Sequence, residues 1–200
     1  IQAEIERTLT QITDTETRIT AAGRTDAGVH AHGQVIAFDT AWQHSIADLL
    51  RGANALLPDQ IAFLSLEQVA DEFHPRYDAQ RRRYRYTILQ SPFRDPMAHR
   101  YSLYVQRHLD VAAMQVAAVS CSAEHDFSAF GSPPQGNNPF RFVFESRWTP
   151  NSPWLYFDIE ANAFLYRMVR MLVGTMLRVG YGAVTSEAFS EILATQDRRR

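Results

Sequence analysis

The sequence predicts an α+β fold, on three observations. Stretches with apolar residues three or four apart alternate along the chain with stretches in which apolar and polar side chains alternate, the signatures of amphipathic helix and half-buried strand. Helix-opening residues, Ser45, Asp110 and Thr185 or Ser186, stand just before helical stretches. Of the 200 residues 46% are apolar and 21% charged, the composition of a chain that packs a core. That length suits one domain or two small ones fused. It buries roughly 70% of the surface its unfolded form exposes, so folding requires neither disulfide nor metal.

Taken in order, Ile1, Ile5, Leu9 and Ile12 recur at helical spacing, and residues 1–13 read as an amphipathic helix. Residues 17–22 and 33–40 read as strands flanking a glycine-rich turn. Ser45 followed by Asp48 resembles a capping box and opens a helix to about Leu56, before Pro58. Residues 61–69 read as a strand. This order is the ferredoxin-like (RRM-like) β-α-β-β-α-β pattern without its first strand. Residues 82–89 then alternate arginine with aromatic or aliphatic residues, as a strand would, and Asp110 caps a helix through about Val119. Residues 140–148 and 154–161 read as a strand pair. A helix is expected over 164–179, with Gly180 and Gly182 as stop signals, and a last helix runs to about Ala194. This second run reads as a ferredoxin-like half without its last strand. The expected organisation is an N-terminal half (1–72), an Arg/Tyr-rich connecting strand segment (73–107) and a C-terminal half (108–200). Residues 128–139, rich in Pro, Gly and Asn, are expected to form a mobile loop.

The net charge of −2 conceals a segregation. Residues 1–72 carry 4 Arg against 11 acids, residues 73–107 carry 8 Arg against 2, and residues 108–200 carry 8 Arg against 9. Local field decides whether a polyanion is attracted, and the middle segment is the basic one. The single cysteine, Cys121, excludes an internal disulfide and a multi-cysteine zinc site, and fits a reducing, cytoplasmic setting. It has no basic neighbour in sequence and reads as a helix-end residue rather than a nucleophile. No apolar run reaches 18 residues; the densest, over 164–179, is broken by Arg167, Arg170 and Arg178.

Chemistry concentrates in a few places. Residues 23–31 read Gly-Arg-Thr-Asp-Ala-Gly-Val-His-Ala between two expected strands. Asp26 projects from a tight loop with Arg24 near enough to keep it ionised, or the pair is a structural feature of a β-turn. His30 and His32 form H-x-H and could join Asp26 around a metal if both lie on one strand, although the spacing specifies no third ligand. In residues 81–86, Tyr84 and Tyr86 share a strand face with Arg82, while Arg81, Arg83 and Arg85 share the other. Such a strand is either an RNA surface, with arginine on phosphate and tyrosine on bases, or a solvated edge strand whose tyrosines enter the core. Arg167 and Arg170 stand near one face of an apolar helix, at its rim or against a carboxylate such as Asp26. No phosphate-binding glycine loop, dinucleotide fingerprint, G-x-S-x-G or H-E-x-x-H occurs.

Three stretches together resemble one family. Gly23–Ala31, GRTDAGVHA, resembles the signature of the TruA-type tRNA pseudouridine synthases. Phe73-His74-Pro75-Arg76 with Arg83-Tyr84-Arg85-Tyr86 is similar to that family's F-H-x-R … R-x-Y-x-Y segment. Ala161-Asn162-Ala163-Phe164, then Met168-Val169-Arg170 and Gly174, is similar to its A-N-A-F … M-V-R … G segment. The resemblance implies an isomerase that turns uridine into pseudouridine at position 38, 39 or 40 of the tRNA anticodon stem-loop. It implies a homodimer without cofactor, and two ferredoxin-like halves with a joined antiparallel sheet. It further implies a catalytic Asp26, a base-stacking Tyr84 and an active-site Arg170; Arg24 is expected to support the active site beside Arg170, and His74, Arg76 and Arg82 to contact the substrate with Tyr84. The family pattern has a strand before the helix at Ile1 and another beyond Arg200, neither of which lies in this sequence, and residues 131–139 diverge from it.

The chemistry asks a carboxylate to help detach uracil at N1 and rejoin it through C5. Attack on C6, attack on C1′ and removal of the C2′ proton all remain open to Asp26. A target within a stem must be flipped out, and the Arg-rich 76–107 stretch is expected to grip the backbone. The alternatives are a non-catalytic RNA-binding module, which leaves the GRTD loop without a role, and a metal-dependent hydrolase using Asp26, His30 and His32.

Overall fold

The computed structural model describes residues 1–134 and 136–196. Two compact units divide the chain, Ile1–Ala79 and Gln80–Arg200. The class is α+β, as the periodicities predict.

In the first unit, α1 (Gln2–Thr13) presents Ile5, Thr8 and Leu9 to the interior, one face of a 3.6-residue period. Asp14, left-handed at φ 51°, ends it. The chain then passes through β1 (Thr20–Ala21) and β2 (Ile36–Ala37), which pair antiparallel. Both are much shorter than the strands expected over 17–22 and 33–40, because the intervening loop takes up most of the backbone. The helix α2 (Ile46–Leu56) starts where Ser45 Oγ accepts the Asp48 N–H at 3.1 Å, as the capping box predicts. Ile5, Leu9, Ile19 and Leu57 form the core, with Ile36, Phe38, Ile61 and Phe63 packed against it.

The strand expected over 61–69 does not form. Ile61 and Phe63 do turn inward, which accounts for the alternation, but Asn54 takes the place of a neighbouring strand. Its Nδ2 donates to the Phe63 carbonyl at 2.9 Å and its Oδ1 accepts the Phe63 N–H at 2.8 Å. One side chain thus satisfies both backbone groups of Phe63, and the segment continues with Leu64 77% exposed.

In the second unit come β3 (Arg82–Gln90), β4 (Leu103–Val105), α3 (Val111–Val119), β5 (Ala123–Asp126), β6 (Phe140–Asn151), β7 (Trp154–Ala161), α4 (Met168–Gly180) and α5 (Ser186–Thr195). The strands form one five-stranded sheet in the order β4-β3-β7-β6-β5. β4 and β5, too short to carry a periodic signal, were not expected, and β4 joins β3 parallel. Because β3 lies between β4 and β7, it is not an edge strand. Asp110 and Thr185 cap α3 and α5 through the N–H groups of Ala113 and Ala188. The three helices pack on the sheet face that carries Ile88, Trp148, Leu155, Phe157 and Ile159. The Trp148 backbone N–H donates to Gln115 Oε1 on α3 at 2.7 Å, and its indole donates to Met176 Sδ on α4 at 3.3 Å. Cys121, at the end of α3 as its sequence suggests, is fully buried, and burial pushes its thiol far above the usual range.

Candidate active site

In the first unit, residues 22–35 form the loop that carries Asp26. It is pinned at its base where the Ala22 N–H donates to the Val35 carbonyl at 2.9 Å and Gln34 Nε2 donates to the Gly23 carbonyl at 2.8 Å. At its tip the Val29 N–H donates back to the Asp26 carbonyl at 3.1 Å. Gly28 supplies the left-handed φ of 80° that this turn needs. Asp26 is half-buried and Arg24 is exposed. His30 and His32 lie in the loop rather than on a common strand, which removes the geometry on which their joint ligation rested. Among the described residues no group of three or more His, Cys, Asp or Glu is placed to hold a metal ion.

The His74–Arg76 segment is a turn. The His74 N–H donates to Asp78 Oδ2 at 2.8 Å, and His74 Nδ1 accepts the Arg76 and Tyr77 N–H groups at 3.2 and 3.3 Å. The His74 ring lies 4.2 Å from that of Tyr77, and Arg76 reaches 5.8 Å from the same Tyr77 ring.

In the second unit, the alternation of β3 sorts its side chains as expected. Tyr84 and Tyr86 face the helices opposite Ile159 and Phe157, while Arg83 and Arg85 face away opposite Glu160 and Asp158. Tyr84 is half-buried with its ring edge-on to Phe164 at 4.9 Å. Arg82 donates to the Asn162 carbonyl at 2.7 Å. Asn162 in turn binds Phe142 of β6 twice, its Oδ1 accepting the Phe142 N–H and its own N–H donating to the Phe142 carbonyl, both at 3.0 Å. The end of β7 is therefore tied to both neighbouring strands.

From there the chain does not enter a helix at Phe164, as expected, but four residues later. Arg167 adopts a left-handed φ of 61° and α4 begins at Met168. Residues 162–167 are held out of helix by the Asn162 bonds and by a bridge in which the Tyr166 N–H donates to the Ser132 carbonyl at 2.9 Å. Gly131 makes this close passage possible, since a Cβ there would lie 2.6 Å from Leu165 Cβ and 2.8 Å from the Tyr166 carbonyl oxygen. Arg167 consequently stands outside the helix with its guanidinium over the Tyr166 ring, and only Arg170 lies on α4, exposed in its first turn. The shared helix face expected for the two arginines is not formed.

The strand arginines are engaged by carboxylates that the sequence reading overlooked. Asp158, 1% exposed, accepts from Arg85 Nε and Nη2 at 2.9 Å each, and Arg83 approaches it at 3.5 Å. Arg81 pairs with Glu160 at 2.9 Å. Burial by itself raises the Asp158 carboxyl, but the hydrogen bonds and charge of Arg85, with Arg83 and Arg147, outweigh it and hold the group below its ordinary value. The signal for this network was the polar Asp158 in the otherwise apolar run Leu155–Ile159, which acquires meaning only once the register with β3 is known.

The family described as tRNA pseudouridine synthase matches residues 1–78 and 117–200. The tRNA pseudouridine synthase A of Roseiflexus castenholzii is 41% identical over 203 residues, covering 100% of this chain and 75% of that protein. The enzyme of the same name from Moorella thermoacetica is 41% identical, covering 100% of this chain and 82% of its own length. That of Neisseria meningitidis is 38% identical, covering 99% and 75%. The family match includes the GRTD loop and the Arg170 helix, the alignment with the Roseiflexus enzyme spans the Tyr84 strand as well, and the chain belongs to the tRNA pseudouridine synthase family of enzymes.

Proposed function

We propose that this chain isomerises uridine to pseudouridine at positions 38, 39 or 40 of the tRNA anticodon stem-loop, with Asp26 as the catalytic carboxylate and no cofactor. The observation that carries the reading is the pinned loop of residues 22–35. It offers one carboxylate, half-buried, in a turn built around Gly28. The isomerisation is internally balanced: the N1–C1′ bond breaks, the uracil turns, a C5–C1′ bond forms, and the C5 proton is lost while N1 gains one. Such a reaction needs a positioned base or nucleophile and no redox partner.

In this reading Tyr84 stacks on the flipped uracil, its ring orientation set by Phe164. Arg24 and Arg170 support the charge of the site, and His74, Arg76 and Arg82 contribute to substrate binding. The active form is a cytoplasmic homodimer. Incubation with unmodified tRNA, followed by mapping of pseudouridine base by base, tests the reading. Pseudouridine confined to positions 38–40 is expected, and a product elsewhere, or none, overturns it. Light scattering at micromolar concentration tests the dimer.

A further inference from the structure

We infer that the loop between β3 and β4, residues 91–102, is a second RNA-binding surface, which grips tRNA by its arginines and stacks an unpaired base on Phe93. The inference rests on the tRNA reading above and deepens it.

The basic segment of the sequence is divided by the structure into two chemically different parts. On and just before β3, Arg81 pairs with Glu160 while Arg83 and Arg85 share Asp158, so two of these three charges are offset by carboxylates. Beyond β3, among the described residues, no ion pair engages Arg94, Arg100 or Arg107. The one acid in this stretch, Asp95, is turned to its own backbone, where Oδ1 accepts the Met97 N–H at 2.8 Å. Two of the arginines are held by rings, Arg94 at 6.0 Å from Tyr104 and Arg107 at 4.8 Å from Tyr181.

The loop is ordered from within. The Ala98 N–H donates to the Asp95 carbonyl, the Tyr101 N–H to the Ala98 carbonyl, and Ser102 Oγ to the Ala98 carbonyl at 2.9 Å. Tyr104 Oη ties it to β4 through the Pro92 carbonyl at 3.0 Å. This framework leaves Phe93 80% and Met97 86% exposed, with the Phe93 ring available to a stacking partner. Unpaired cations beside an exposed aromatic ring suit RNA, which offers phosphate and base together. An apolar partner would leave the arginines unmatched.

The test compares the full chain with Arg94→Ala/Arg100→Ala and with Phe93→Ala, using unmodified whole tRNA at several salt concentrations and light scattering to follow assembly. All three positions are on the surface, and matching thermal melts establish that the variants fold. The double variant is expected to raise KM roughly tenfold with kcat unchanged, and to flatten the salt dependence by one to two counterions. Phe93→Ala is expected to raise KM roughly fivefold or more without altering that slope. Unchanged KM and slope overturn the inference. So does loss of the dimer in either variant, which would assign the loop to contact between copies. If the unaltered chain binds tRNA but forms no pseudouridine, the proposed function fails, and binding constants for the same variants still decide the role of the loop.

Discussion

Arg85 and Asp158 face each other directly across the β3–β7 ladder, and both oxygens of the carboxylate are held by the one guanidinium at 2.9 Å. The Asp158 side chain is 2% exposed while the Arg85 side chain keeps 53% of its surface. Asp158→Asn leaves two arginines facing a neutral amide. Discounted for the exposure of the arginines, the loss is about 2 kcal/mol, measurable by urea denaturation. An unchanged midpoint would show the pair to be energetically idle.

The same pair sets an acid limit. The Asp158 carboxyl titrates below its ordinary value in the folded chain, so its contribution is complete above the unfolded aspartate value of about 3.9 and is lost as pH falls through the lower folded value. Stability should therefore decline on the acid side, and less steeply in Asp158→Asn than in the unaltered chain. Parallel pH profiles of the two would contradict the assignment.

Asp26→Asn keeps the shape of the loop and removes the base or nucleophile. Turnover on unmodified tRNA should fall by at least on the order of 10³, roughly 4 kcal/mol, while tRNA still binds. Asp26→Glu should also fail, because one methylene displaces the carboxylate by about an ångström. Near-normal pseudouridine formation by Asp26→Asn would remove Asp26 from the mechanism.

Tyr84→Phe preserves the edge-on contact with Phe164 and discards the hydroxyl, whereas Tyr84→Leu discards the ring. If stacking is the role of Tyr84, Phe is tolerated and Leu loses roughly 1–3 kcal/mol of substrate interaction. A Phe variant that binds normally but does not turn over would move the function to the hydroxyl.

Gly131→Ala places a methyl group where the chain passes Leu165 and the Tyr166 carbonyl, well inside van der Waals contact. Backbone must give way, at about 1–3 kcal/mol of stability, and it gives way in the segment leading into α4. Hydrogen exchange should report faster exchange at the Tyr166 amide, which donates to Ser132. Protection unchanged there would mean that the bridge adapts without cost.

What was legible in the sequence was local. Ser45, Asp110 and Thr185 bond backbone groups three residues ahead, and their helices begin where those residues predict. The family signatures were legible for the same reason, being short and contiguous. The misread elements depend on partners far along the chain. Residues 61–69 alternate like a strand, yet Asn54 satisfies Phe63 in place of a ladder. The segment 164–167 looks helical until Ser132 and Phe142 are seen to hold the chain from Asn162 to Tyr166 out of helix. The arginines of β3 looked available because Asp158 and Glu160 lie more than seventy residues away in sequence.

The enclosed Cys121 gives the protein an internal clock. With its sulfur sealed beneath α3 and its thiol held protonated, a thiol reagent reaches it only when the second unit opens. Because no other cysteine exists in the 200 residues, each labelling event is unambiguous in mass. The rate of modification then reads out how often that unit breathes, and whether bound tRNA slows it, without any engineered probe.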